Sequence, residues 1–337
     1  MIFHFNDLKV TNNLTYNLTS DSIPWFINTI FCKEKKLCYL CKDNNEIDFI
    51  QKNVKILNPN INIIKFPLWD FPLFNDISPS VSNQKTRINA LTRLVNFKNE
   101  DCLLLISLSA LIVKIPPISE FKKNYMYVDK NNQNSSISNI KNFIINKDYK
   151  RVDTVREKFE YSIRGGIVDI FPSNLNLPVR LDYFGEHLDT IRVFDPINQL
   201  SKKLINSFYL FSASEISLKK ESIESFRVNY RKYDSDIDKT FYETISNGQK
   251  IPGTENFLPF FFEKLDSILD LITDQKIIFN ETNIDFFSSY FDELKKNYEK
   301  SKYIDYNIFN QITFDKNEIL KQLEKKKIIR ISNFTNY

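Results

Sequence analysis

Glycine is scarce in this chain: five residues in 337, none of them before Gly165. A loop that cradles phosphates needs glycine so that its backbone can approach the ligand closely. The stretch before Gly165 therefore holds neither G-x-x-x-x-G-K-[ST] nor G-x-G-x-x-G, and the later Gly248 and Gly253 complete neither motif. Nucleotide hydrolysis is not expected of these residues, nor a cofactor of their own. Histidine is scarcer still, with His4 and His187 far apart. No Ser/His/Asp or metal-ligand constellation is visible, so an enzyme is not expected. Cysteine occurs four times, at Cys32, Cys38, Cys41 and Cys102. Cys38-x-x-Cys41 has the spacing of half a zinc site or of a redox pair, and a structural zinc site usually takes four ligands. The local sequence KLCYLCK reads as a strand, where residues three apart point to opposite faces. That favours buried thiols over ligands.

Long apolar runs are also missing. The longest, near Leu103–Val113, is broken by Ser107 and Ser109 and is too short to span a bilayer. The opening MIFHFNDLKV lacks the basic start and continuous apolar stretch of a secretory signal. A cytoplasmic protein without a membrane partner is expected. The net charge of +4 is too weak an excess to point to nucleic acid by itself. What the chain does have is ordinary globular material, 42% hydrophobic and 26% charged. Its length allows roughly two to three domains.

The hydrophobic period changes along the chain. Trp25, Phe26, Ile27 and Ile30 predict a helix. Leu37–Cys41, Val54–Leu57 and Ile61–Phe66 predict strands. Ile88, Leu91, Leu94 and Val95 form a helix stripe over Gln84–Phe97. Cys102–Ile106 is a continuous apolar run, as in a parallel sheet buried on both faces. Ile137, Ile140, Phe143 and Ile144 mark a helix with Ser136 as its N-cap. From Phe159 to Phe194 the period is two, predicting strands at Phe159–Phe171, Val179–Phe184 and Leu188–Phe194. Pro172-Ser173-Asn174 and Gly185-Glu186 would turn them into an antiparallel meander. Gly165-Gly166 within the first strand predicts a bulge or a close backbone approach. Helices are then expected around Ile223–Tyr230, Ile237–Ile245 and Phe314–Lys326, with strands at Ile277–Asn280 and Ile328–Ile331.

Period two divides the meander into two faces. With the core under Val179, Leu181, Ile191 and Val193, the opposite face carries Arg164, Arg180, Asp182, Phe184 and Arg192. Arg180 and Phe184 would lie about 13 Å apart at ~3.3 Å per residue. An exposed aromatic among arginines has the composition of a protein-binding hot spot. The bland alternative is a solvated sheet face with one ion pair, such as Asp182 with a neighbouring arginine, worth about 0–1 kcal/mol.

The stretch Glu160–Ser201, EYSIRGGIVDIFPSNLNLPVRLDYFGEHLDTIRVFDPINQLS, resembles the UvrB interaction domain that UvrB shares with the transcription-repair coupling factors. The resemblance rests on Arg164-Gly165-Gly166, Asp169-Ile170-Phe171-Pro172, Pro178-Val179-Arg180-Leu181-Asp182, Ile191-Arg192 and Phe194-Asp195-Pro196. KRVDTVREKFEY, FPLWDFPLFNDISPS with the following Arg87 helix, and SLSALIVKIPP are also similar. Of the two families the coupling factors fit better. UvrB carries a working Walker A motif, which this chain lacks. It also carries an aromatic hairpin that clamps damaged DNA, for which Trp69–Pro79 leaves little room before the next helix. Trp69, Phe71 and Phe74 are expected to be core rather than a stacking platform.

The resemblance implies an α/β fold: a degenerate, helicase-like, P-loop-type domain with a parallel sheet and no Walker A, interrupted by a smaller β-rich α+β domain. The implied boundaries are 1–124 for the first part, 125–211 for the insertion and 212–337 for the second part with a C-terminal extension. It also implies a function: docking UvrA onto stalled RNA polymerase in nucleotide excision repair. In the family the contact falls to the positions matching Arg164, Arg180 and Phe184, with Asp182 and Arg192 beside them. Full-length members continue into a polymerase-binding domain, an ATP- and Mg-dependent DNA translocase and a masking domain. None of these fits in this length, so a fragment or a stand-alone module is expected. The competing class is a DNA-binding module, for which Lys321, Lys325, Lys326, Lys327 and Arg330 would supply phosphate contacts; a solvated helix end gives the same cluster.

Overall fold

The computed structural model describes residues 15–75, 77–122, 124–233, 239–300 and 306–333. The opening segment with His4, and the residue Ile237, lie outside these. The described strands, in chain order, are β1 Thr15–Leu18, β2 Lys36–Cys41, β3 Ile63–Phe66, β4 Cys102–Ser107, β5 Tyr125–Asp129, β6 Lys150–Arg151, β7 Glu160–Arg164, β8 Ile167–Ile170, β9 Val179–Phe184, β10 His187–Phe194, β11 Ser201–Ile205, β12 Ser207–Phe211, β13 Lys276–Asn280 and β14 Ile328–Asn333. The chain divides into two compact units, one of residues 1–77, 97–115 and 264–337, the other of 78–96 and 116–263. The segment 125–211 lies wholly inside the second unit. The helix Val81–Asn96 and the helices between residues 220 and 261 belong to that unit too.

The first unit is built on a six-stranded sheet in the order β1-β14-β13-β2-β4-β3, with every neighbouring pair parallel. Its central strands read as unbroken apolar runs because helices cover both faces. All six residues of β4 are buried, as are five of the six in β2. Leu37, Tyr39 and Cys41 share one core cluster with Phe26, Ile30, Ile47 and Val54. Cys38 falls outside that cluster, as alternation requires. Trp69, Phe71 and Phe74 are buried. Phe74 meets Tyr298 and Phe309 with ring centroids 6.3 and 5.5 Å away. The strand expected at Val54–Leu57 is instead the last turn of the helix Asn44–Leu57. Its residues continue a stripe begun by Ile47 and Ile50, and a four-residue window hides that helical period.

Two features of this unit matter later. Ile115 and Asp266 form an antiparallel bridge, exchanging backbone hydrogen bonds of 2.9 Å in both directions. The longer excursion, 116–263, thus leaves and re-enters the unit at one place. At the C-terminal end of β2, Asp43 caps the helix Asn44–Leu57 by accepting from the Glu46 N–H at 2.9 Å. The Glu46 carboxylate in turn accepts from the Lys42 N–H and, at 2.7 Å, from the Tyr39 hydroxyl. Two carboxylates therefore stand at the start of this helix, one of them on its N–H donors.

In the second unit the meander forms a sheet ordered β11-β10-β9-β8-β7-β6. The single strand expected at Phe159–Phe171 is two strands, because Gly165-Gly166 is the turn of a hairpin and not a bulge. Arg164 pairs with Ile167 across it. Gly165 takes φ +61°, which suits a two-residue hairpin turn. A Cβ on Gly166 would stand 2.7 Å from the Tyr183 carbonyl oxygen, so the expected close approach is present. β5 and β12 make a separate antiparallel ribbon. The helices Lys220–Tyr233 and Lys239–Ser246 close around Phe226, Tyr230, Phe241 and Phe260, whose rings lie about 5 to 6 Å apart as in other aromatic cores. A bidentate pair lies within the same unit: Arg87 Nε donates to Glu215 Oε1 at 2.8 Å and Arg87 Nη2 to Oε2 at 3.3 Å.

Candidate docking face

The alternation in β9 is as its sequence implies. Val179, Leu181, Ile191 and Val193 are buried on one face, joined by Val168 and Ile170 of β8. Register then assembles the other face. Arg164 pairs with Ile167, Ile167 with Asp182 and Asp182 with Thr190; in the next row Asp169 pairs with Arg180, Arg180 with Arg192 and Arg192 with Leu204. Arg164, Arg180, Asp182 and Arg192 are thereby brought together.

The residue that organises them is Asp169, which the sequence reading did not single out. Its side chain is only 1% exposed. It accepts from Arg164 Nη2 at 2.6 Å, from Arg180 Nε at 2.7 Å and from Arg180 Nη2 at 2.9 Å. Those bonds hold the Arg180 guanidinium above its ordinary pKa. Charge-assisted bonds of this kind are short and strong. Arg180 is accordingly less open than a free face position. Its side chain is 17% exposed, its guanidinium lies 4.8 Å from the Phe194 ring centroid, and the turn carrying Gln199 passes within 3.5 Å. The turn between β10 and β11, with Val155, Phe171 and Phe194 packed together, roofs one side of the face.

The rest is open. Arg164 is 54% exposed, with one nitrogen on Asp169. Arg192 donates to Asp182 through Nε at 3.0 Å and Nη2 at 2.5 Å, and Thr190 donates to the same oxygen at 2.7 Å. The ion pair foreseen for Asp182 is this one, and it orients Arg192. Phe184 ends β9 beside the Gly185-Glu186 turn and is 88% exposed. Among the described residues nothing covers it. Ile167 and Leu204 also expose apolar surface on this face; both were legible only once the register was known. The arrangement offers a ring edge and fixed guanidinium donors, which suits a partner with acidic groups around an apolar pocket.

Elsewhere, the described residues hold no group of three or more His, Cys, Asp or Glu that would bind a metal ion. Burial pushes the Cys38 and Cys41 thiols well above their ordinary pKa, which disfavours the thiolate a metal needs. Of the basic cluster near the end of the chain, Lys326 donates to the Ile272 carbonyl at 2.8 Å and Arg330 pairs with Glu281 at 3.3 Å. Both are thus engaged within their own unit, which thins the cluster as a phosphate site.

Residues 130–216 match the family model of the UvrB interaction domain. The similarity to the UvrB interaction domain falls on this segment. It contains the docking-face residues just described. The chain around it is similar to transcription-repair-coupling factors: 27% identical over 90% of its length to that of Rickettsia bellii, 28% over 72% to that of Haemophilus influenzae, and 29% over 58% to that of Escherichia coli. These alignments take in 28%, 21% and 17% of the respective relatives, so the chain spans about a quarter or less of their length. The match agrees with their N-terminal module. No helix among the described residues is long and apolar enough to cross a membrane.

Proposed function

We propose that this chain is the docking module of a transcription-repair coupling factor, acting in the cytoplasm, and that it recruits UvrA to stalled RNA polymerase in nucleotide excision repair. The observation that carries this reading is Phe184, 88% exposed on the same sheet face as arginines that Asp169 and Asp182 hold in place. An exposed aromatic among arginines has the composition of a protein-binding hot spot. Arg164, Arg180 and Phe184 supply the contact, with Asp182 and Arg192 shaping its border. Contacts to RNA polymerase and DNA belong to regions beyond these residues. The test is a binding titration against UvrA at moderate salt. Saturable binding is expected, with Arg164→Ala weakening it about tenfold, the scale of one charge-assisted hydrogen bond. Absence of binding by a folded wild-type chain would refute the reading.

The same proposal makes the first unit a helicase-like domain that has lost its nucleotide site. In open parallel sheets, phosphates bind beyond the carboxyl end of the strands at the helix start where strand order reverses. β2 is such a strand, with β4 on one side and β13 on the other. Asp43 and Glu46 stand at the start of its helix and would repel a phosphate. Equilibrium dialysis with ATP and Mg should give no saturable binding up to millimolar ATP. A micromolar dissociation constant would contradict this.

A further inference from the structure

The second unit contains an open cavity of about 820 Å³ that the docking reading leaves unused. That volume is within the range of small-molecule sites, about 300–1,000 Å³. Lys147, Lys219 and Lys220 line it, with Asn142 and Asn146. Among its lining residues the one carboxylate is Glu221. The Lys147 ammonium donates to Asn124 Oδ1, an uncharged partner, at the end of the helix Ile137–Asn146. Lys219 adjoins it, and burial together with that second cation brings the Lys147 pKa down to about 8. Asp148, the next residue, already pairs with Lys250 at 3.4 Å. Lys219 and Lys220 open the 14-residue helix Lys220–Tyr233, whose first intrahelical bond runs from the Ile223 N–H to the Lys219 carbonyl. The N–H groups before Ile223 have no partner inside the helix.

Lys147 and Lys219 repel one another with Lys220 on the same lining, and of the carboxylates that act on Lys147, Glu120 and Asp148, neither lines the cavity: an unfavourable arrangement in a half-buried site. An anion reverses its sign. We propose that this cavity is an oxyanion site that takes a phosphate group, with Lys147, Lys219 and Lys220 as its cations. Lysine binds phosphate as a point charge and does not need the planar fork that arginine offers a carboxylate. The helix start adds donors and a favourable dipole. The phosphate comes either from a small phosphorylated ligand or from a nucleic-acid backbone, and the two are separable by experiment.

The test uses the whole chain with two probes, inorganic pyrophosphate and a single-stranded oligonucleotide, each at fixed ionic strength made up with chloride. Pyrophosphate should raise the melting temperature by mass action and bind saturably in calorimetry. The pair of substitutions Lys219→Ala and Lys220→Ala, both outside the core, should keep the ligand-free melting temperature and weaken binding at least tenfold. Lys147→Arg should retain binding. Binding of pyrophosphate but not oligonucleotide identifies a small ligand; oligonucleotide binding abolished by the same pair identifies a backbone phosphate. If neither probe responds to the pair, the cavity is not an oxyanion site and the proposal falls, whatever UvrA binding shows.

Discussion

Arg87→Ala is expected to cost about 3–5 kcal/mol of folding stability in the second unit. The Arg87 side chain is 1% exposed and that of Glu215 5%, and the two share bidentate bonds. Removing the cation leaves a carboxylate in the interior with no counter-charge, and that desolvation is the main part of the loss. Replacing both partners, Arg87→Met with Glu215→Leu, should recover most of it, because matched apolar groups of similar volume fill the space without a charge. The readout needs care in its choice of probe. Both tryptophans, Trp25 and Trp69, lie in the first unit, so their fluorescence follows that unit. Far-UV circular dichroism follows both. In Arg87→Ala the dichroism transition should move to lower urea ahead of the fluorescence transition. A loss below about 1 kcal/mol would mean that the pair is hydrated and not a buried constraint.

The second large effect concerns Asp169. Phe184→Ala should weaken UvrA binding by about 2–4 kcal/mol, roughly 30- to 1,000-fold, with the melting temperature unchanged, as for an exposed hot-spot ring. Asp169→Ala should weaken binding by at least tenfold although Asp169 is itself out of reach of any partner. Its loss frees the Arg164 guanidinium and leaves Arg180 beside Phe194 without its bonded carboxylate. Ordering either side chain must then be done at binding, at a cost of about 0.5–1.5 kcal/mol each. A merely structural role would lower stability and leave the arginine contribution intact. The double-mutant cycle of Asp169→Ala with Arg164→Ala separates the two. Strong non-additivity in binding is expected; simple additivity would remove the positioning role.

How far these features were legible follows from the range of the interactions behind them. Val179–Phe184 was readable because each side chain announces its face by alternation alone. The helix at Ile137 was readable from a local cap, Ser136, which accepts from the Asn139 N–H. Asp169 was not. In sequence it alternates with Val168 and Ile170 like any outward polar residue, and its burial depends on two arginines from neighbouring strands and on a roof formed 30 residues later, about Gln199. Gly165-Gly166 was ambiguous for a different reason: a glycine pair serves a bulge and a hairpin turn equally, and only the pairing of Arg164 with Ile167 decides. The β5–β12 ribbon escaped notice because Tyr127 meets Tyr209 across a long separation, with no local signal beyond apolar content. The cavity lysines escaped for the same reason.

The split of the parallel sheet on either side of residues 116–263 sets an order of events during synthesis. Leu40 of β2 finds its neighbour on one side in Ile106, but on the other side only in Phe279. Until the ribosome has released Lys276–Asn280, one edge of β2 stays open. The meander has no such wait, since from β7 to β11 each strand pairs with the next one made. Domains fold as units while the chain grows, so the sheet that bears Phe184 is complete before the sheet into which it is inserted. The nascent chain therefore completes the sheet of Phe184 while the parallel sheet is still unfinished, and that interval is when β2 is most exposed to wrong pairing.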